Sequence, residues 1–295
     1  MKNIIKRIRA VFSALVLIFI VLAAFSAQLS YTFLAVTRLA VGEAADVRAA
    51  VISDLHGNSF GEYNAELISR IEREKPDIIF ILGDMMNSDG DAGELFDLCF
   101  KLSDIAPTYY ALGNHELEYM KAAQADLVSL IESSGVAVLE REYADIDVNG
   151  TALRVGGMFD YAFAAGTTES TSAENMDPAV FGFLSDFENT DRYKIMLCHR
   201  PDSFIFGDAA QTWDVDLVLS GHTHGGQVRL PVLGGVFAPD QGRFPSYDAG
   251  LFEKGKVRLF ITRGTVLGSQ PSTVPRINNL PEIAVLSLGA EGREP

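Results

Sequence analysis

The apolar and polar positions divide the chain into three regimes. From Ala10 to Thr37 no residue is charged, and Val11 to Ala24 is almost wholly aliphatic or aromatic. Extended through Phe25 to Leu34, this run exceeds the ~20 residues that a helix needs to cross a bilayer. From Val47 onward, short apolar runs alternate with amphipathic stretches. Strands are expected at Val47–Ile52, Ile78–Leu82 and Thr108–Leu112, and helices at Ala65–Glu74, Leu95–Leu102 and Leu117–Ser133. Leu67, Ile68 and Ile71 recur at helical spacing, whereas Ile78–Leu82 is a uniformly apolar run followed by glycine, as a buried strand would be. The second half is richer in strands: Tyr143–Val148, Thr151–Val155, Lys194–His199, Leu217–Leu219, Gln227–Leu230, Val257–Thr262 and Ile283–Leu288. Two packed sheets with helices outside fit this count, so the expected fold class is α/β, a four-layer α/β/β/α sandwich. Residues 161 to 180, small, polar and rich in Ser and Thr, read as a long surface loop followed by a short helix. The organisation is then a basic flank and apolar anchor over 1–37, a connector over 38–46, one domain over 47–290 and a tail over 291–295.

Charge refines the first regime. The first nine residues carry Lys2, Lys6, Arg7 and Arg9 and no acid. The positive-inside rule puts this cluster in the cytoplasm and the chain beyond Arg38 outside it. Ala24-Phe25-Ser26 also has small residues at the offsets of a signal-peptidase site, so a cleaved signal peptide is the alternative. Apolar residues continuing through Tyr31 to Val36 favour an uncleaved, single-pass anchor in the cell membrane. Either way the domain lies outside the cytoplasm. The formal charge of -15 counts against sequence-independent nucleic-acid binding, because an acidic body repels phosphate backbones. It leaves room for a local phosphoester site, where bound cations reverse the field. Cys99 and Cys198 make no disulfide framework; Cys198, inside an apolar run, reads as a small buried side chain, and a single disulfide stays open.

The candidate chemistry is concentrated at the ends of expected strands. The chain has five histidines, and all lie in Ser53-Asp54-Leu55-His56-Gly57, Gly113-Asn114-His115-Glu116, Cys198-His199-Arg200 or Gly221-His222-Thr223-His224-Gly225, with Gly83-Asp84 as a further acidic turn. Polar side chains at strand ends converge at one edge of an α/β sheet. In Asp54-Leu55-His56 the i, i+2 spacing puts both donors on one side of an extended chain with Leu55 in the core, and His222 and His224 repeat it. Gly83, Gly113 and Gly221 are expected to let the backbone turn before the donors. Carboxylate, imidazole and amide donors suit divalent Mn, Fe, Zn or Co. A lone Asp-x-His or Gly-Asp is more often an ordinary polar turn. It is the ordered set, absorbing every histidine, that points to a metal site.

In this order the motifs resemble the calcineurin-like metallophosphoesterase superfamily, over about residues 47 to 290. Gly221-His222-Thr223-His224-Gly225-Gly226-Gln227 followed by Arg229-Leu230-Pro231 is similar to its bacterial membrane-associated branch, with an N-terminal transmembrane segment. The resemblance implies a metallo-dependent phosphatase-like sandwich and two divalent ions. One ion would be held by Asp54, His56, Asp84 and His224, the other by Asp84, Asn114, His199 and His222, with Asp84 bridging. It also implies that His115 is not a ligand but serves the departing oxygen. The chain departs from the pattern at Asn87, where the family has an acid supporting that histidine; Glu116 would compensate, or His115 acts mainly as a neutral donor. Two ions about 3.5–4 Å apart hold a bridging hydroxide that attacks phosphorus in line, so no protein nucleophile is needed. No G-x-S-x-G, P-loop or activated cysteine is present in the sequence. Arg200, Arg229 and Arg263 follow strand ends and read equally as phosphate binders or surface charges.

The expected function is hydrolysis of a small-molecule or lipid-linked phosphomonoester or phosphodiester from the cell envelope, by a monomer. The pyrophosphate of a nucleotide-linked acylated sugar, of the UDP-2,3-diacylglucosamine type, ranks below it because that reaction belongs on the cytoplasmic face. A silent domain that only binds a phosphorylated ligand should have lost donors, and none is missing.

Overall fold

The computed structural model describes residues 2–42, 46–159, 173, 176–267 and 274–289. In chain order its elements are α1 (Lys2–Ser30), β1 (Ala35–Ala40), β2 (Arg48–Ile52), α2 (Ala65–Arg73), β3 (Ile78–Ile81), α3 (Ala92–Ser103), β4 (Thr108–Tyr110), α4 (Asn114–Ala123), α5 (Leu127–Glu132), β5 (Ala137–Val138), β6 (Glu142–Val148), β7 (Thr151–Met158), α6 (Pro178–Phe187), β8 (Tyr193–Cys198), α7 (Asp202–Ile205), α8 (Ala209–Thr212), β9 (Leu217–Ser220), β10 (Arg229–Leu230), β11 (Gly234–Gly235), β12 (Phe237–Ala238), β13 (Gly242–Arg243), β14 (Gly250–Lys254), β15 (Val257–Ile261) and β16 (Glu282–Ser287). Two six-stranded sheets carry the fold, in the orders β1-β16-β2-β3-β4-β5 and β14-β15-β9-β8-β7-β6.

Alternation along the strands builds the layers. Ala49, Val51, Ile78 and Phe80 meet Ile195, Leu197, Leu217 and Leu219 between the two sheets. The intervening residues Ala50, Ile52, Ile79 and Ile81 face outward, against Leu67 and Ile71 of α2 and Leu95 and Leu98 of α3. On the far side Met196, Cys198 and Val218 pack on Val180 and Leu184 of α6. A strand buried on both faces must be apolar at every position, which is why these runs show no polar alternation. Three apolar layers between four layers of secondary structure, helices outside two sheets, are the expected α/β/β/α sandwich. Cys99 belongs to one outer layer and Cys198 to the other, and both are free thiols.

α1 stands apart from these layers. Its most apolar window has mean hydropathy 2.7, and none of that window is buried. It is long and apolar enough to cross a membrane.

Three local expectations fail for identifiable reasons. Ala35–Ala40, at the joint of the segments read as anchor and connector, is an edge strand paired with β16; its apolar residues are continuous in sequence with α1, which hid it. The single helix expected over Leu117–Ser133 is two, because Gln124 turns left-handed and the Asp126 carboxylate caps a new start at Ser129 N, 3.0 Å away. The strand expected over Gln227–Leu230 shrinks to Arg229–Leu230, because Gly226 and Gln227 both have positive φ. β14 lacked an apolar run and was not anticipated. Most of the loop read over 161 to 180, and the tail over 291–295, lie outside the described residues; the short helix after that loop is α6.

Candidate metal centre

β2, β3 and β4 run parallel in the first sheet, and β7, β8, β9 and β15 run parallel in the second. Their C-terminal ends share one edge, and there the expected donors gather. Asp54 and His56 follow β2, Asp84 follows β3, Asn114 and His115 open α4 after β4, His199 follows β8, and His222 and His224 follow β9. The two sheets are tied at this edge by Gly221 N donating to His199 O at 3.0 Å and Thr265 N to Ser53 O at 2.8 Å.

The backbone differs from the sequence expectation. Asp54, His56, Asp84, His222 and His224 all take positive φ, between 50° and 67°. Left-handed backbone costs a non-glycine residue about 1–3 kcal/mol and persists only where its surroundings over-determine it. Here Asp54 N donates to Gly83 O and His56 N to Asp84 O, both at 3.0 Å, while Leu55 is buried between them. The pair still points one way, but through two left-handed residues rather than an extended chain. Of the three glycines only Gly83 turns, with φ +81. Gly113 is extended, and an added Cβ would lie 2.2 Å from Asp84 Oδ1 and 2.4 Å from Asp84 N. At Gly221 it would lie 2.1 Å from Ser53 Oγ and 2.6 Å from Asp54 Oδ2. Close approach of the loops, not turning, is what requires glycine at these two positions.

The hydrogen bonds outside the centre fix which ring nitrogens face in. Asn87 Nδ2 donates to His56 O at 3.0 Å, so its Oδ1 is the atom 3.2 Å from His56 Nδ1, and that nitrogen carries the proton. His199 Nδ1 meets the carbonyl of Leu82 at 2.6 Å and must donate to it. His222 Nε2 lies 3.0 Å from Asp240 Oδ2 and donates to it. The ring nitrogens turned toward the centre are then His56 Nε2, His199 Nε2 and His222 Nδ1. His56 Nε2 is 3.3 Å from His224 Nε2, which lies 3.8 Å from Asp54 Oδ1. His222 Nδ1 is 3.2 Å from His199 Nε2, itself 3.1 Å from Asp84 Oδ2. The same Asp84 oxygen is 3.9 Å from His56 Nε2, so Asp84 stands between the two groups. Asn114 Oδ1 is buried with no hydrogen-bond partner among the described residues. Converging imidazole nitrogens and carboxylates with an orphaned amide oxygen fit a cation site.

A family profile described as calcineurin-like phosphoesterase matches residues 47–226. The chain belongs to the calcineurin-like phosphoesterase family. Phosphodiesterase YaeI of Escherichia coli (strain K12) is 28% identical over 250 residues, covering 83% of this chain and 83% of that protein. The metallophosphoesterase Cj0846 of Campylobacter jejuni is 30% identical over 225 residues, 74% of this chain and 54% of that protein. A Danio rerio protein named transmembrane protein with metallophosphoesterase domain is 26% identical over 232 residues, 74% of this chain and 48% of its own length. The chain thus spans about half the length of these last two. As a calcineurin-like phosphoesterase it is a metal-dependent hydrolase of phosphoric esters.

The electrostatics of this phosphoesterase centre follow from burial and from Asp84. Burial drops the His56 imidazole to about 4 and lowers His222 and His224, so these three rings are neutral near pH 7. Burial works against charge on His199 too, but the Asp84 carboxylate overrides it and raises His199 to about 9. Burial likewise opposes charge on Asp84, yet His199 and the other rings hold it well below the usual carboxylate range. Burial lifts Asp54 to about 6. Without metal, a proton on His199 Nε2 sits between Asp84 and His222, doing the work of a cation.

Residues outside the expected set build the support. Glu116 does not compensate for Asn87. Its fully buried carboxylate accepts from the backbone of Asp84 (2.8 Å), Met85 (2.7 Å) and Gly113 (2.9 Å) and from the Tyr110 hydroxyl (2.9 Å). It locks the loops after β3 and β4 together. Asn87 serves His56 rather than His115, and His115 Nδ1 is buried without a hydrogen-bond partner among the described residues. The His115 ring stands edge-on to His56, with centroids 4.7 Å apart. Asn279 Nδ2 donates to His224 O at 2.8 Å, and the fully buried Arg276 donates to Asn279 O at 3.0 Å. Arg229 is engaged with Gly225 O and Asp248, and Arg263 with Glu282, so both serve the fold. Arg200 lies 3.7 Å from Asp240 at the centre. Asp202, pushed up to about 7 by burial and by Asp240, completes a group with His222 and Asp240. No spacing rule links Asp240, Asn279 or Arg276 to the histidine motifs, so sequence reading passed them over.

Proposed function

We propose that the chain hydrolyses a phosphodiester or phosphomonoester at a membrane surface with two divalent cations, Mn, Fe, Zn or Co. Asp54, His56, Asp84 and His224 would hold one, Asp84, Asn114, His199 and His222 the other. The observation that carries this is the convergence of three imidazole nitrogens, their other ring nitrogens tied to outside partners, around the Asp84 carboxylate. Divalent ions bound there supply charge that polarises the phosphoryl oxygens and makes water nucleophilic at neutral pH. The chain orients the ester and manages its proton. His115, next to Asn114 and half-buried, gives a proton to the departing oxygen as the P–O bond breaks. Arg200 is the cation placed to meet a phosphate oxygen. Similarity to the phosphodiesterase YaeI of Escherichia coli supports a diester first.

The test is the full-length protein in detergent: metal content, then hydrolysis of aryl phosphodiesters and monoesters with each metal. A protein that binds none of the four metals and cleaves neither ester would end this reading. α1 and its basic flank support an anchored domain outside the cytoplasm. A reporter fused after residue 290 should be active outside; robust activity of a cytoplasm-only reporter would reverse the orientation and bring the nucleotide-linked acyl-sugar pyrophosphate forward.

A further inference from the structure

Anchor, centre and one apolar loop meet at a single edge of the fold. β1 runs parallel to β16, and β16 runs antiparallel to β2. β1 therefore starts at the edge where β2 ends, the edge that carries Asp54 and His56. Only Tyr31 to Leu34 separate α1 from β1. So short a segment spans at most about 14 Å, and Leu34 is fully buried at its far end.

Asn278 makes a second tie. Its backbone N–H donates to Ser26 Oγ of α1 at 2.6 Å, and its side chain donates to Arg229 O at 3.3 Å. A hydrocarbon core takes ~20 helical residues; counted from Ala10, just after the basic flank, these end at about Leu29. Ser26 falls inside that limit, so Arg229 begins its loop at the bilayer surface.

The loop from Arg229 to Phe244 is built for such a surface. Arg229-Leu230 pairs with Gly234-Gly235 in a hairpin. At its tip Val232 is fully exposed and Leu233 is 65% exposed; later in the same loop Phe237 and Phe244 are 52% and 57% exposed. Val232 also has φ 71, an outlying conformation for a β-branched residue. Nothing among the described residues covers this apolar tip, while the same loop delivers Asp240 to His222.

We propose that this hairpin inserts into the surface of the bilayer that α1 crosses. The centre then takes the phosphoester head group of an amphiphile whose chains stay in the membrane. The substrate half rests on the phosphoesterase reading above; the insertion does not. The test places Val232→Trp and Leu233→Trp in full-length protein in phosphatidylcholine nanodiscs with brominated chains. Asp191→Trp, on the exposed opposite edge before β8, is the control, and the native Trp213 is buried in the core. Both hairpin tryptophans should be quenched several-fold more than the control. Equal quenching in all three would overturn the proposal. The double variant Val232→Asp, Leu233→Asp should lose roughly tenfold on a lipid-chain phosphodiester in the nanodisc. It should keep full activity on a water-soluble aryl phosphodiester; equal loss on both would overturn the amphiphile half. If the wild-type protein cleaves neither ester, the phosphoesterase reading fails with the amphiphile half, and quenching alone decides insertion.

Discussion

Gly113→Ala should cripple the centre without touching a donor. The new Cβ would lie 2.4 Å from Asp84 N and 2.2 Å from Asp84 Oδ1. Ordinary contact begins near 3.4 Å, so the loops must part by about 1 Å. The carboxylate cannot simply rotate away, because Asp84 Oδ1 accepts from His115 N at 2.8 Å. The backbone cannot simply slide, because Glu116 binds both Gly113 N and Asp84 N. Overpacking of this kind costs about 1–3 kcal/mol, which lowers the melting temperature of a domain this size by roughly 2–10 °C. A displacement of about 1 Å at a reacting centre costs on the order of 10²-fold in rate. Melting curves, metal analysis and aryl-ester turnover on the same preparation separate the effects. Gly182→Ala on α6, with nothing within 4 Å of the added carbon, is the control and should be neutral or slightly stabilising. Wild-type metal content and turnover in Gly113→Ala would refute the close-approach argument.

Asp84→Asn should lose metal and turnover together, because one carboxylate stands between both groups. His115→Ala should keep its metal and slow chemistry by ~10²–10⁴-fold, less with good leaving groups; loss of metal in that variant would make His115 a ligand. Asp240→Ala should weaken metal binding by roughly 10–100-fold by freeing the His222 ring, while Asp240→Asn, which keeps an acceptor, should retain most of it; equal affinity in both variants and wild type would refute the orienting role. His199, raised from 6.5 to about 9, adds stability to the metal-free protein that is fully present below 6.5 and lost as pH rises through about 9. Metal must displace that proton, so binding at pH 7.5 should release about one proton, and affinity should rise about tenfold per pH unit up to about 9; calorimetry in two buffers showing no proton release would sink this.

Runs such as Ile78–Leu82 and Ile195–Cys198 identified β3 and β8 because a strand buried on both faces needs apolar residues along its buried length, and that is a local demand. The histidines, Asp54, Asp84 and Asn114 could be named as donors because side-chain chemistry and position after a strand are also local. β1 could not be found this way: an edge strand that continues an apolar helix has no pattern of its own, and only pairing with β16, more than two hundred residues later, defines it. Of the two readings open at His115, compensation by Glu116 is not the one the fold allows: adjacency in sequence says nothing about direction, and the helix start turns the carboxylate under the loops. Gly113 and Gly221 looked like turns until the neighbouring loops were seen in contact. Asp240 and Asn279 reach the centre across 18 and 55 residues of chain. The layers and the chemistry of the candidate donors were legible in the residue order, since periodicity and side-chain type act over a few residues. Which ring nitrogen turns toward the centre, which carboxylate stands between the two histidine groups and which edge lies beside α1 were decided by sheet register, because those depend on distances of about 3 Å between segments that the chain order keeps far apart.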